Sequence, residues 1–332
     1  MGMTKKRGPR IAAIGGGNGL SNMLRGLKTK TENLTAIVTV ADDGGGSGAL
    51  RRDLGMLPPG DIRNCMEALA NTEPLMQRLL AYRFPEGVLA GQAFGNLLLA
   101  ALDGISGSFD QAVARMSEVL AITGRILPVT NANVQLEASF ENGSRIVSES
   151  GICAFKKEQD CRITQVRLLP ERPPALPEAV RVLEDAELIV LGPGSLYTSV
   201  IPNLLVEGIA GAVRQSDALK IYVCNIMTQD GETEGYTASE HLAALLEHGG
   251  GPGLVDVCLC NDEPVREELL ERYLAEDAVP IVVDGSAIRA LGAEPVCRPL
   301  ASDTQNYARH SYTKLADAIM DIYRERAHTR IF

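Results

Sequence analysis

Ile14-Gly15-Gly16-Gly17-Asn18-Gly19-Leu20 and Ala41-Asp42-Asp43-Gly44-Gly45-Gly46-Ser47-Gly48 are two glycine-rich stretches lying one strand–helix unit apart. Each follows a β-branched apolar run, at 10–14 and at 34–40, and each precedes a helix-like segment. Glycine in such a loop lets backbone N–H groups come close to a ligand, and the N-terminus of the following helix attracts anions. Loops at the carboxyl ends of neighbouring parallel strands open into one crevice. The pair predicts a ligand that carries phosphate, with Asp42 and Asp43 beside it.

Outward from these loops, strand-like and helix-like segments alternate, the pattern of a parallel sheet covered on both faces. Further strands are expected at 188–191, 220–224, 255–260 and 279–283. Helices are expected at 21–27, at 61–69 with Asp61 as N-cap, at 74–82, at 96–102, after a Ser108 cap, and at 313–326. The period changes in the middle. Strand-like runs at 134–140 and 145–149 flank Asn142-Gly143, a hairpin signal, and a third follows at 162–169. The expectation is one Rossmann-like, doubly wound α/β domain over 1–332, its sheet mainly parallel, with a small antiparallel β insertion at about 126–170.

The composition, 45% hydrophobic and 22% charged, is that of an ordinary globular protein. A net charge of −10 argues against a nucleic-acid partner, so the basic Lys5-Lys6-Arg7 reads as a solvated tail. No stretch approaches the ~20 apolar residues of a membrane span, and no signal-peptide core is seen at the N-terminus. The seven cysteines are scattered, with no Cys-x-x-Cys, as expected for reduced thiols in a cytoplasmic protein; Cys258 and Cys260 alternate and so share one face of a strand.

The first loop does not complete a dinucleotide fingerprint, because Leu20 stands where the third glycine belongs. An ordinary dehydrogenase is therefore not supported, and the loop is either a phosphate cradle or a tight turn. Asp42 and Asp43 suit a divalent cation, a ribose or a base; magnesium takes one or two carboxylates plus phosphate oxygens. Their plainer reading is a capped turn. Arg51, Arg52 and Arg63 lie downstream as phosphate partners or surface charges. After the strand at 188–191, Gly192-Pro193-Gly194-Ser195-Leu196-Tyr197-Thr198-Ser199 repeats the design, as a phosphate or sugar loop or a rigid turn. Asn225, Thr228 and Gln229 end the next strand, and Asn261-Asp262 the one after. Asn96 reads as a helix cap or a ligand contact, and Arg309-His310 lies in a polar loop. There is no Gly-x-Ser-x-Gly elbow and no Walker lysine.

Together these motifs resemble the YvcK branch of the 2-phospho-L-lactate transferase-like (CofD-like) family. The carriers are the two opening loops, Pro59-Gly60-Asp61-Ile62-Arg63-Asn64, Phe94-Gly95-Asn96-Leu97, the loop at Gly192, and Cys224-Asn225-Ile226-Met227-Thr228-Gln229 with Gly231-Glu232-Thr233. The resemblance implies a cytoplasmic bacterial protein that binds UDP-sugars such as UDP-N-acetylglucosamine. It also implies a role in cell shape and in growth on gluconeogenic carbon sources, with cell-wall synthesis proteins as partners. Tyr273 and Arg309 fall where the branch holds its UDP-sugar. Two positions depart from the pattern. Asn18 stands where threonine is usual, and Ser311-Tyr312 replaces an Asp-Thr whose threonine is phosphorylated in some members.

The expected ligand site thus comprises Gly15 to Gly19, Asp42, Asp43, Asn96, Gly192, Gly194, Ser195, Tyr197, Thr198, Asn225, Thr228, Gln229, Tyr273 and Arg309. Asp42 is the candidate metal ligand, and Asp42 and Asp43 are the candidate catalytic residues. The leading reading is a UDP-sugar-binding regulator. The alternatives are a magnesium-dependent phospho-group transferase and an NAD-binding protein without hydride transfer. Self-association into a homo-oligomer stays open.

Overall fold

The computed structural model describes residues 8–275, 277–302 and 307–329. Lys5-Lys6-Arg7 lies outside them. Among the described residues the strands run in chain order as β1 (Ile11–Gly15), β2 (Leu34–Val38), β3 (Arg125–Pro128), β4 (Gln135–Phe140), β5 (Arg145–Val147), β6 (Ile163–Leu169), β7 (Leu188–Leu191), β8 (Leu219–Val223), β9 (Val257–Asn261) and β10 (Glu294–Arg298). Seven of them form one sheet in the order β10-β9-β8-β7-β1-β2-β3, every pairing parallel. β1, β2, β7 and β8 are buried along their whole length, because helices cover both faces. The sheet grows outward from β1 to β3, then restarts at β7 on the other side of β1. A crevice must open at that reversal, between the carboxyl ends of β1 and β7.

The small sheet, β5-β4-β6, is antiparallel and turns at Asn142-Gly143, where Gly143 has φ +82°. It begins later than expected. The stretch at 125–128 pairs with β2 in the main sheet, Thr35 opposite Arg125, so the antiparallel part covers 135–169. Between β5 and β6 lies a helix, Glu149–Gln159, which period-2 reading did not reveal. Ser148 starts it, its Oγ accepting from Gly151 N–H at 3.0 Å, and that cap ends the strand.

Two other expectations are corrected. The run at 279–283 is not a strand. It meets 226–228 through an isolated bridge between Met227 and Pro280 and a hydrogen bond from Val279 N–H to Thr228 Oγ1, since proline has no N–H to extend a ladder. The seventh strand is instead β10, Glu-Pro-Val-Cys-Arg, whose proline fits an edge strand but hides the strand pattern. The helix over Gly60–Leu69 begins with Pro59 in the cap position, and Asp61 lies inside its first turn.

Candidate functional site

The crevice at the reversal has a volume of about 480 Å³. Its floor is the first turn of the helix Gly17–Leu27, entered through an extended Gly16 with no side-chain cap. First-turn amides have no partner within their own helix. Gly17 N–H donates to Asp61, whereas Asn18 and Gly19 line the open space. Gly15 lies beneath, its carbonyl accepting from Asn203 Nδ2 at 3.2 Å and from Thr39 N–H at 3.0 Å. Gly15, expected at the ligand site, does not line the crevice.

The paired aspartates part company. Asp42 lines the crevice, one oxygen accepting from Gly44 N–H at 2.8 Å. Asp43 turns away and accepts from Glu149 N–H at 2.9 Å and Ser150 N–H at 3.0 Å. It caps the insertion helix across 106 residues of sequence. The expectation that Asp43 stands beside the ligand is corrected: Asp43 is a positioning residue. By fixing the start of that helix, it delivers the Glu149 side chain to a hydrogen bond with Asp42.

Asp42, Asp61 and Glu149 thus face one another, and two of the three were not read from the sequence as site residues. Burial, reinforced by the Asp42 charge, pushes the Asp61 carboxyl up to about 7, against the pull of Gly17 N–H and Arg63. Burial with the Asp42 and Asp61 charges pushes Glu149 well above the usual carboxylate range. Near neutral pH Glu149 keeps its proton and donates it to Asp42.

These shifts have a measurable consequence. Asp61 binds its proton more tightly folded than unfolded, so its contribution is present at low pH and lost as pH rises through about 7. Between pH 6 and pH 8 it should remove about 1.4 kcal/mol of stability, the equivalent of one pKa unit. Urea unfolding of the ligand-free protein at the two pH values would measure this. Asp61→Asn should flatten that part of the dependence, and an unchanged slope in the variant would show that another group titrates.

The loop at Gly192 is built differently from the first. Its following helical segment starts at Leu196, and the fully buried Glu232 occupies that N-terminus. Glu232 Oε1 accepts from Thr198 N–H at 3.1 Å, and the N–H groups of Leu196 and Tyr197 point at the same carboxylate. These amides therefore hold a side chain rather than a ligand. Thr198 is buried, as is Tyr197, whose hydroxyl lies 3.0 Å from the Tyr236 hydroxyl. Gly192 adopts φ +76° at the turn. Gly192, Tyr197 and Thr198, expected at the ligand site, do not line the crevice. Gly194 and Ser195 do line it. Asn225 clamps Gly194, accepting from its N–H at 3.2 Å and donating to its carbonyl at 2.8 Å, and Ser195 donates to Gln229 at 2.8 Å.

Thr228 and Gln229 complete that wall, and Tyr273, Arg309 and His310 form the far rim. The Arg309 guanidinium stacks on Tyr307, 5.0 Å from the ring centroid. His310 donates from Nε2 to the Cys224 carbonyl at 3.2 Å, and burial lowers it to about 4, so it is neutral. Asn96 is buried elsewhere and accepts from Arg63 Nε at 2.9 Å; it lies outside the crevice, and so does Arg63. Arg51 and Arg52 border a separate cavity next to Asp43. Arg309 is thus the lining guanidinium among the described residues. No group of three metal-ligating side chains is arranged around a common ion there.

Comparison with known proteins matches this architecture. Residues 11–301 fit the family described as 2-phospho-L-lactate transferase CofD. A Thermoanaerobacterium thermosulfurigenes protein is 50% identical over 95% of this chain and 97% of its own. The gluconeogenesis factor of Bacillus subtilis is 46% identical over 96% of this chain and 99% of its own. A solved structure of a Bacillus halodurans protein of the UPF0052 family has a TM-score of 0.90 at 44% identity, covering 94% of this chain and 100% of that one. No helix among the described residues is long and apolar enough to cross a membrane. With its loops, its sheet order and relatives that match nearly end to end, the chain belongs to the CofD family, in the branch of the gluconeogenesis factors.

Proposed function

We propose that the protein binds a nucleotide sugar of the UDP-N-acetylglucosamine type in the crevice between β1 and β7. In this reading it acts in the cytoplasm as a regulatory factor for gluconeogenesis, cell shape and peptidoglycan synthesis. The observation that carries the reading is the uncapped helix start at Asn18 and Gly19 facing a rim with one guanidinium, Arg309. Unpaired N–H groups, a helix dipole and an arginine together suit a pyrophosphate. Gly194, Ser195, Asn225 and Gln229 offer polar groups to the sugar, and Tyr273 offers a ring to the base. A nucleotide bound this way would not need the hydride-transfer geometry of a dehydrogenase, and NAD is the competing dinucleotide.

The carboxylates give a second reading its footing. Asp42 and Asp61 are hard oxygen donors at the edge of the same space, so they suit magnesium shared with phosphate oxygens. Bound there, the ion would neutralise phosphate charge, as it does in phospho-group transfer. Asp42 would hold it, Asp61 would complete the pair, and Glu149 would hold a proton against Asp42. Such an arrangement would suit a transferase similar to 2-phospho-L-lactate transferase.

Calorimetry separates these readings. UDP-N-acetylglucosamine should bind, and Arg309→Ala should weaken it at least about tenfold, as loss of a charge-assisted contact does. Tighter NAD binding would favour the dinucleotide. Absence of both at millimolar ligand would remove the regulatory reading. Phosphate or nucleotide release from a carrier substrate that requires magnesium and is abolished by Asp42→Asn would favour the transferase.

A further inference from the structure

Behind the crevice wall four of the seven cysteines gather on adjacent strands: Cys224 just past β8, Cys258 and Cys260 on β9, and Cys297 on β10. The parallel register sets Val223 beside Leu259, and Cys224 N–H donates to the Leu259 carbonyl at 3.0 Å, which brings Cys224 alongside Cys260. Cys258 Sγ lies 3.7 Å from Cys260 Sγ on the same strand. All three are buried, yet Cys224 and Cys260 border a cavity of about 360 Å³ that shares Asn225 and Ile226 with the ligand crevice.

We propose that Cys224 and Cys260 form a redox-responsive dithiol, a modification site that small disulfides oxidise to an intramolecular bridge and thereby disorganise the neighbouring crevice. Geometry selects this pair. Adjacent strands lie ~4.8 Å apart, inside the Cα range of about 4.4–6.8 Å that a disulfide spans. Cys258 and Cys260, two residues apart on one strand, are separated by about 6.6 Å, near the upper limit. Cys297 pairs with Cys260 in register but does not line the cavity that Cys224 and Cys260 both border. The neighbouring thiols of Cys224 and then Cys258 push the Cys260 thiol down, and Cys260 borders the cavity through which a small disulfide would arrive, so Cys260 is the attacking group.

The reaction is thiol–disulfide exchange. The Cys260 thiolate attacks a low-molecular-weight disulfide, releasing one small thiolate and leaving a mixed disulfide. Cys224 sulfur then displaces the second small thiolate, and the protein is left with a Cys224–Cys260 bond. The protons lost from Cys260 and Cys224 end on the two released thiols. Closing the bridge fixes the Cys224 side chain on Cys260 and loads the Cys224 peptide through it. Its carbonyl receives the His310 hydrogen bond, and the next residue, Asn225, clamps Gly194. Both contacts belong to the crevice.

The test is incubation of the full-length protein with oxidised glutathione, followed by intact mass and peptide mapping. The expected product has lost two hydrogens, carries a peptide pair joined through Cys224 and Cys260, and reverts with dithiothreitol. Cys258→Ser and Cys297→Ser should still form it. Cys260→Ser and Cys224→Ser, checked as folded by circular dichroism, should not. UDP-N-acetylglucosamine affinity should fall at least about tenfold on oxidation and recover on reduction. Adducts without a bridge, a bridge that persists in Cys224→Ser, or unchanged affinity in the bridged protein would overturn the proposal. If the reduced protein binds no nucleotide sugar, that reading of the crevice fails, and the mass and mapping results still decide the dithiol.

Discussion

Gly19→Ala is expected to destabilise the protein by about 3 kcal/mol, the upper end for overpacking, and to abolish ligand binding at the crevice. A Cβ at Gly19 would stand 2.4 Å from the Pro193 carbonyl oxygen and 3.0 Å from Gly194 Cα. Both neighbours are backbone, so no side chain can swing aside. The first and third loops would have to separate, and with them the ends of β1 and β7 on which the crevice depends. Gly211→Ala provides the contrast. That glycine lies in the helix Ile209–Gln215 with nothing within 4 Å of an added Cβ. There alanine should be neutral or stabilising by about 0.5–1 kcal/mol through its better helix propensity. Urea unfolding of both variants measures the difference, and equal stabilities would refute the loop-contact argument.

Glu232→Ala is expected to cost about 3 kcal/mol, because it strips a buried helix start of its acceptor and leaves several N–H groups unpaired. Glu232→Gln keeps one acceptor oxygen and should cost less. The pH response distinguishes the carboxylate itself. Burial pushes Glu232 up to about 7, so the folded state holds its proton more tightly than the unfolded chain does. Its contribution is full below the ordinary glutamate range and is lost as pH rises through 7, about 1.4 kcal/mol between pH 6 and pH 8. The glutamine variant should lack this component, and its stability relative to the parent should therefore improve with pH. A constant difference across that range would mean that Glu232 stays ionised.

The mainly parallel sheet was legible from residue patterns because its causes are local. Doubly buried strands are apolar nearly throughout, as 188–191 and 221–224 are, and helices between them show a period near 3.6. β10 escaped the same reading since an edge strand with one partner tolerates Glu294, Pro295 and Arg298. The insertion helix Glu149–Gln159 escaped because it follows the hairpin strand directly, with Ser148 alone to signal the change.

The amino-acid sequence by itself determined the fold class and that Asn18 and Gly19 of the first loop line a crevice at the strand ends, because glycines and strand ends act over a few residues. Only the tertiary structure decided how the charged groups divide. Two adjacent aspartates look equivalent in one dimension, yet Asp42 faces the crevice while Asp43 caps a helix more than a hundred residues away. Two glycine loops look alike, yet one leaves its helix start open and the other gives it to Glu232. The physical reason is the same in both. A carboxylate removed from water must find donors, and which N–H groups lie within reach is set by how distant segments pack.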